Sequence, residues 1–147
     1  MRIIILLLAV VLMGSCTTYK YSYIKQNPGK KYSTFQIQKL NVSNSELLFL
    51  DRNVISNSMN NLFIMVMQNN GYVYSTDAAN NMDVQINILV EDNDIINNKQ
   101  SLAIYLGFYD KNSLLANFVI NSRSKEILLD KELLVRELND VLQQIKK

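Results

Sequence analysis

Hydrophobic and polar residues alternate in three stretches of the second half of the chain. The first has apolar residues at Val84, Ile86, Ile88 and Val90. The second alternates from 102 to 109, and the third from 114 to 121. A period of two is typical of strands buried on one face. The polar stretch 110–113 between the last two predicts a tight turn and therefore a hairpin, and residues 91–100 read as a loop.

Two further extended stretches precede these strands. Residues 32–40 predict a strand with Phe35 and Ile37 on one face, and residues 72–74 predict a short strand. Residues 41–50 fit either a capped helix or a short buried strand, and the pattern leaves both open.

Apolar residues recur at helical spacing in two places, and each place predicts an amphipathic helix. The first helix runs from about Asp51 to Asn69, with Asp51 or Asn53 as N-cap and Gly71 as the left-handed residue that follows its end. The second begins near Asp130, and its apolar stripe contains Leu134, Leu138, Val141, Leu142 and Ile145.

These elements predict an α+β fold. We expect a mainly antiparallel sheet of four to five strands with two helices packed on one face, because that arrangement buries both helical stripes. Residues 34–147 would form this single domain, and a chain of this length can build a core without disulfides.

The N-terminus carries a different pattern, in which basic Arg2 is followed by an apolar run from Ile3 to Met13 and by Gly14-Ser15-Cys16. The run is shorter than the roughly 20 residues of a membrane-spanning helix and fits the core of a secretory signal. The stretch that ends at Cys16 resembles a bacterial lipobox. That resemblance implies that residues 1–15 are a signal peptide and that Cys16 is acylated and anchored in membrane lipid. The residue after it, Thr17, implies an outer-membrane anchor facing the periplasm.

Residues 16–33 are expected to contain the lipidated cysteine and a tether. Tyr19, Tyr21 and Tyr23 alternate with other residues there. One interpretation is an aromatic foot in the membrane interface with Lys20, Lys25, Lys30 and Lys31 facing headgroups. The favoured interpretation is an edge strand or a plain linker.

Composition removes several classes of function. The net charge is +2 and the signal carries only one charged residue, so no basic surface for nucleic acid is expected. The chain has no histidine and one cysteine, which removes the commonest catalytic base and metal ligands. The acidic stretch 91–94 lacks the spacing of a calcium loop. We therefore expect neither an enzyme nor a metal or other cofactor.

Tyr105 and Tyr109 share one face of a predicted strand and are the candidate ligand or partner face. The segments 31–37, 70–72 and 77–79, taken with the lipobox, resemble small Gram-negative lipoproteins of uncharacterised domain families. Residues 49–90 are distantly similar to the surface-exclusion lipoprotein of conjugative plasmids. Neither resemblance implies catalytic residues.

Two functions follow as expectations. The first is a non-enzymatic accessory or assembly factor that binds a protein partner in a cell-envelope complex. The alternative is an envelope lipoprotein that binds a small molecule or lipid at Tyr105 and Tyr109.

Overall fold

The computed structural model describes residues 18–43, 51–77, 79–94, 99–122, 128 and 130–146. In chain order the elements are β1 (Thr18–Ile24), a 3-10 turn (Pro28–Lys30), β2 (Thr34–Ser43), α1 (Arg52–Asn69), β3 (Val73–Tyr74), β4 (Met82–Asp94), β5 (Lys99–Asp110), β6 (Ser113–Ser122) and α2 (Lys131–Lys146). Within these residues the strands form one sheet in the order β1-β6-β5-β4-β2-β3.

The expected α+β class with two helices is confirmed, but the sheet of the described residues is mixed and has six strands, where a mainly antiparallel sheet of four to five was expected. β4, β5, β6 and β1 pair antiparallel, whereas β2 is parallel to both of its neighbours, β3 and β4. The cause is the crossover: α1 carries the chain from the end of β2 back to its start, so that β3 must run in the same direction as β2.

Both helices form where the apolar stripes predict them. The side chain of Asp51 caps α1 by accepting hydrogen bonds from the backbone N–H groups of Asn53 and Val54, at 2.7 and 3.3 Å. Asp130 caps α2 through the N–H of Leu133 at 2.9 Å. These side chains satisfy amide donors that have no partner inside the helix.

A single core joins the helices to one face of the sheet. The α2 stripe is buried, and it clusters with the α1 residues Met59 and Phe63 and with alternate strand residues such as Ile86, Ile104 and Phe118. The face of the sheet that carries these strand residues is called the inner face, and the opposite one is called the outer face.

Strand bounds differ from the expectation in two places. β4 extends through Asp94 and β5 begins at Lys99, so most of the expected loop 91–100 is strand, because the hairpin ladder continues through Glu91–Ser101 and Asp92–Gln100. β2 runs on to Ser43, with a bulge between Ile37 and Lys39. The rest of the ambiguous stretch 41–50 lies outside the described residues.

Candidate interaction face

The structure places Tyr105 and Tyr109 together on the outer face of β5. Their neighbours Ile104, Leu106 and Phe108 point into the core, so the alternation of a strand turns the two tyrosines outward. The Tyr105 side chain is 39% exposed. The Tyr109 ring lies over Gly107, where an added Cβ would come within 2.6 Å of the ring. Tyr105 is therefore available to a ligand or surface, and Tyr109 is held flat against the sheet.

β1 brings two more tyrosines to this face. The stretch 18–24, which lay in the expected tether, is the edge strand of the sheet. Tyr21 lies opposite Val119 of β6, and Val119 lies opposite Tyr105. Tyr23 is next on the same side of β1. Tyr21 and Tyr23 are 61% and 47% exposed, and Tyr21 stands about 10 Å from Tyr105, two strand spacings away.

Amide side chains fill much of the outer face between β5 and β2. Asn41 donates to Asn87 at 3.2 Å, and Gln85 donates to Gln38 at 2.9 Å. These bonds run across the parallel pair of strands and satisfy groups that the face partly covers. These four side chains make this part of the outer face polar through neutral amide groups.

Few of the described side chains on the outer face are charged. Among its described side chains only Lys39 and Asp83 are charged, and Asp83 is buried, where it accepts a hydrogen bond from Gln36 at 2.6 Å. Charged side chains such as Lys131, Glu132 and Arg136 lie instead on the helical layer. The two layers therefore present different surfaces.

On the inner side of β1, Lys20 joins the strand to α2. Its Nζ lies 2.6 Å from Oε2 of buried Glu137 and 2.6 Å from Oδ2 of Asp140. Desolvation, the largest single effect, lowers the pKa of Lys20, but the hydrogen bonds and charges of Asp140 and Glu137 together raise it above its ordinary value. A lysine whose pKa is higher in the folded protein than in the unfolded chain stabilises the fold at any pH below the unfolded pKa. This contribution is lost only as the pH rises through the folded pKa, so the pair stays intact at neutral pH.

These contacts bear on the aromatic-foot interpretation. Lys20 points to the helical layer, and Lys31 pairs with Asp110 at 2.5 Å. Carboxylates of the domain itself pair with these two lysines, so their described contacts give no support to that interpretation, which stays untested. The favoured interpretation of an edge strand agrees with the pairing of β1.

A groove of about 450 Å³ runs between the two helices on the other side of the molecule. It is open to solvent, and its lining residues are Ser58, Asn61, Leu62, Met65, Lys131, Glu132 and Val135. Met65 is 42% exposed, and Val54, which lines an adjoining hollow, is 61% exposed. The groove was not predicted from the sequence, because no local pattern indicates a surface that needs both helices in place.

The structure describes little of the other candidate sites. Cys16 and the signal lie outside the described residues, and so do the side chains of 91–94. Within the described part of the chain, no three acidic, cysteine or histidine side chains group as metal ligands would. No described helix has the length and apolarity needed to cross a membrane.

Comparisons with known proteins identify the fold. No protein-family model and no curated protein matches the chain. Among solved structures, the PelC dodecamer from Paraburkholderia phytofirmans matches with a TM-score of 0.55 and 9% identity, over 88% of this chain and 98% of that one. A point variant of the same dodecamer matches with a TM-score of 0.50 and 10% identity, over 89% and 97%. At this identity the likeness concerns the fold alone.

Proposed function

We propose that the protein is a lipoprotein of the bacterial outer membrane, anchored through acylated Cys16 and facing the periplasm. It acts there as a non-enzymatic accessory or assembly factor of a cell-envelope complex. The observation that carries the proposal is the coincidence of Arg2, the apolar run 3–13 and the small residues before Cys16 at the start of the chain. A lone thiol also fits an acylated cysteine better than a disulfide in an oxidising compartment.

The position of the anchor supports a role at the membrane surface. β1 begins at Thr18, two residues after Cys16, and pairs at once with Ser122 of β6. Two extended residues span only about 7 Å. The domain would therefore be held close to the bilayer, without a long flexible linker, and within reach of other envelope proteins.

The helical groove supports a protein partner. Exposed Val54 and Met65 flank it, and flexible methionine side chains suit surfaces that repack on binding. The PelC proteins of similar fold are dodecamers, so further copies of this chain are included among the partners that we propose.

A second candidate function is the binding of a small molecule or lipid. The volume of the groove, about 450 Å³, lies in the range of ligand pockets, and Tyr105 offers an exposed aromatic ring on the other layer. The openness of the groove favours the first function, because ligand pockets bury most of the ligand surface.

Replacement of the anchoring residue tests the proposal. Cys16→Ser should abolish fatty-acid labelling and release the protein from the membrane fraction, because the serine hydroxyl cannot take the thioether-linked lipid. Thr17→Ser is the matched control, since it leaves the cysteine and the small residues in place and should retain the label. Continued labelling of the Cys16→Ser protein would contradict the proposal.

A further inference from the structure

We infer that the outer face of the sheet is the surface that lies on the lipid bilayer, with Tyr21, Tyr23 and Tyr105 in the headgroup region. The inference rests on the proposed lipid anchor and deepens it by naming the face that meets the membrane. A lipid anchor alone leaves the orientation of a domain open, and the structure supplies the orientation.

The chemistry of the face fits the membrane interface. Tyrosine is enriched where lipid headgroups meet hydrocarbon, because its ring prefers an apolar environment and its hydroxyl stays hydrated. Three tyrosines that are 39–61% exposed stand on this face. Between β1 and β5 lie Val119 and Asn117 of β6, and Asn87 of β4 lies beside Tyr105 on its other side; all three are apolar or neutral.

The scarcity of charge points the same way. Lys39 is the one exposed charged side chain among those described on this face, and a cation suits lipid phosphate. Buried Asp83 is satisfied by Gln36. The helical layer, by contrast, carries Lys131, Glu132 and Arg136 exposed to solvent, as expected of the side that faces water.

The anchor reaches this face from its margin. β1 is an edge strand, and Thr18 is level with Ser122 at one corner of the sheet. Cys16 is two residues beyond, so its lipid leaves within about 7 Å of that corner. A sheet attached at a corner can lie flat on the bilayer. If the sheet instead stood on the bilayer with its strand ends, Tyr105 would be about 10 Å from the membrane surface, because it lies three residues along β5 from the level of that corner.

The chain has no tryptophan, so one introduced tryptophan reports its own surroundings. We would purify the full lipidated protein as the Tyr105→Trp variant and reconstitute it into phosphatidylcholine vesicles brominated on the acyl chains near the headgroup. The matched control is Val54→Trp, at an exposed apolar position in the first turn of α1 on the helical layer. Thermal melts of both variants establish that each is folded.

We expect the tryptophan at position 105 to shift its emission to the blue on reconstitution and to lose most of its intensity to the brominated lipid. The tryptophan at position 54 should keep the emission it has in dilute detergent. Quenching at position 54 with none at 105 would assign the membrane to the helical end and overturn the inference, and so would the absence of quenching at both.

The vesicles contain neither another protein nor polysaccharide, so quenching at 105 reports lipid alone. If position 105 stayed exposed in vesicles and became protected only in whole envelopes, the face would belong to a macromolecular partner and the inference would be wrong. Fatty-acid labelling of the same preparation separates the two levels. Labelled protein without quenching contradicts only the orientation, whereas unlabelled protein contradicts the anchor and the orientation together.

Discussion

Gly71 follows α1 and adopts a left-handed backbone conformation, with φ at 87°. The N–H of Gly71 donates to the carbonyl of Gln68 at 2.9 Å, and that of Tyr72 donates to the carbonyl of Met67 at 3.1 Å. The turn directs the chain from the helix into β3. A side chain in this conformation places its Cβ too close to the backbone, and glycine avoids that penalty.

The substitution Gly71→Ala isolates this backbone effect. A Cβ added at Gly71 would meet no other atom within 4 Å, so the cost should be conformational only, about 1–2 kcal/mol of unfolding free energy. Urea unfolding of the two proteins measures the loss. Ser75→Ala, in the polar connection after β3, is a comparison without positive φ. A loss at Gly71 no larger than at Ser75 would contradict the assigned role of the turn.

At the scale of elements, α2 depends on the sheet for its stability. Isolated helices of its length are marginal in water, and five apolar residues of its stripe are 0–2% exposed in the core. Leu138 is the middle of that stripe. The helix therefore serves to close the inner face of the sheet as well as to flank the groove.

Leu138→Asp should strongly destabilise the protein. The substitution removes about 1.5–3 kcal/mol of hydrophobic burial and forces a carboxylate either into the core or, with the helix, away from it. We expect the Tm to fall by roughly 5 °C or more. Arg136→Ala, at an exposed position of the same helix, should change the free energy of unfolding by less than about 0.5 kcal/mol. A mutant that melts like the wild type would mean that the stripe binds a partner instead of the sheet.

Element type was predictable from the sequence wherever the period was long and regular. The stripes of α1 and α2 and the alternation in β4–β6 each repeat over several residues, and the structure has these elements where they were expected. The direction of β2 was not predictable, because an alternating pattern is the same for parallel and antiparallel neighbours. The bulge after Ile37 was missed for a related reason, since it changes which residues face the core without changing their composition.

At the scale of the whole molecule, the outer face exists only because distant segments pair. The spacing of Tyr105 and Tyr109 along one strand predicted from the sequence that they share a face. Tyr21 joins them through the pairing of β1 with β6, two strands far apart in the sequence, and no local pattern encodes that contact. The sequence therefore indicated half of the candidate face, and the fold supplied the rest.

If Cys16 is the anchor, β1 is the strand that connects the domain to the membrane. The ion pairs of Lys20 join this strand to α2. Glu137 is 4% exposed, and Lys20 lies 2.6 Å from its carboxylate. Arg136 is farther from Glu137, at 3.4 Å, and is largely in solvent. Removal of Lys20 would therefore leave a buried carboxylate with an exposed and more distant cation as its remaining described ion-pair partner.

We expect Lys20→Met to lower the free energy of unfolding by about 1–3 kcal/mol, which is below the full cost of breaking a buried pair because Lys20 itself is partly solvated. The double variant Lys20→Met, Glu137→Gln should recover most of that loss, since the second change removes the orphaned charge. Asp140→Asn, which alters only the exposed partner, should cost less than about 1 kcal/mol. Urea unfolding gives the free energies, and hydrogen exchange along 18–24 shows whether the edge strand opens first. A double variant no more stable than Lys20→Met would show that the charge of Lys20 on Glu137 has no part in the stability that Lys20 provides.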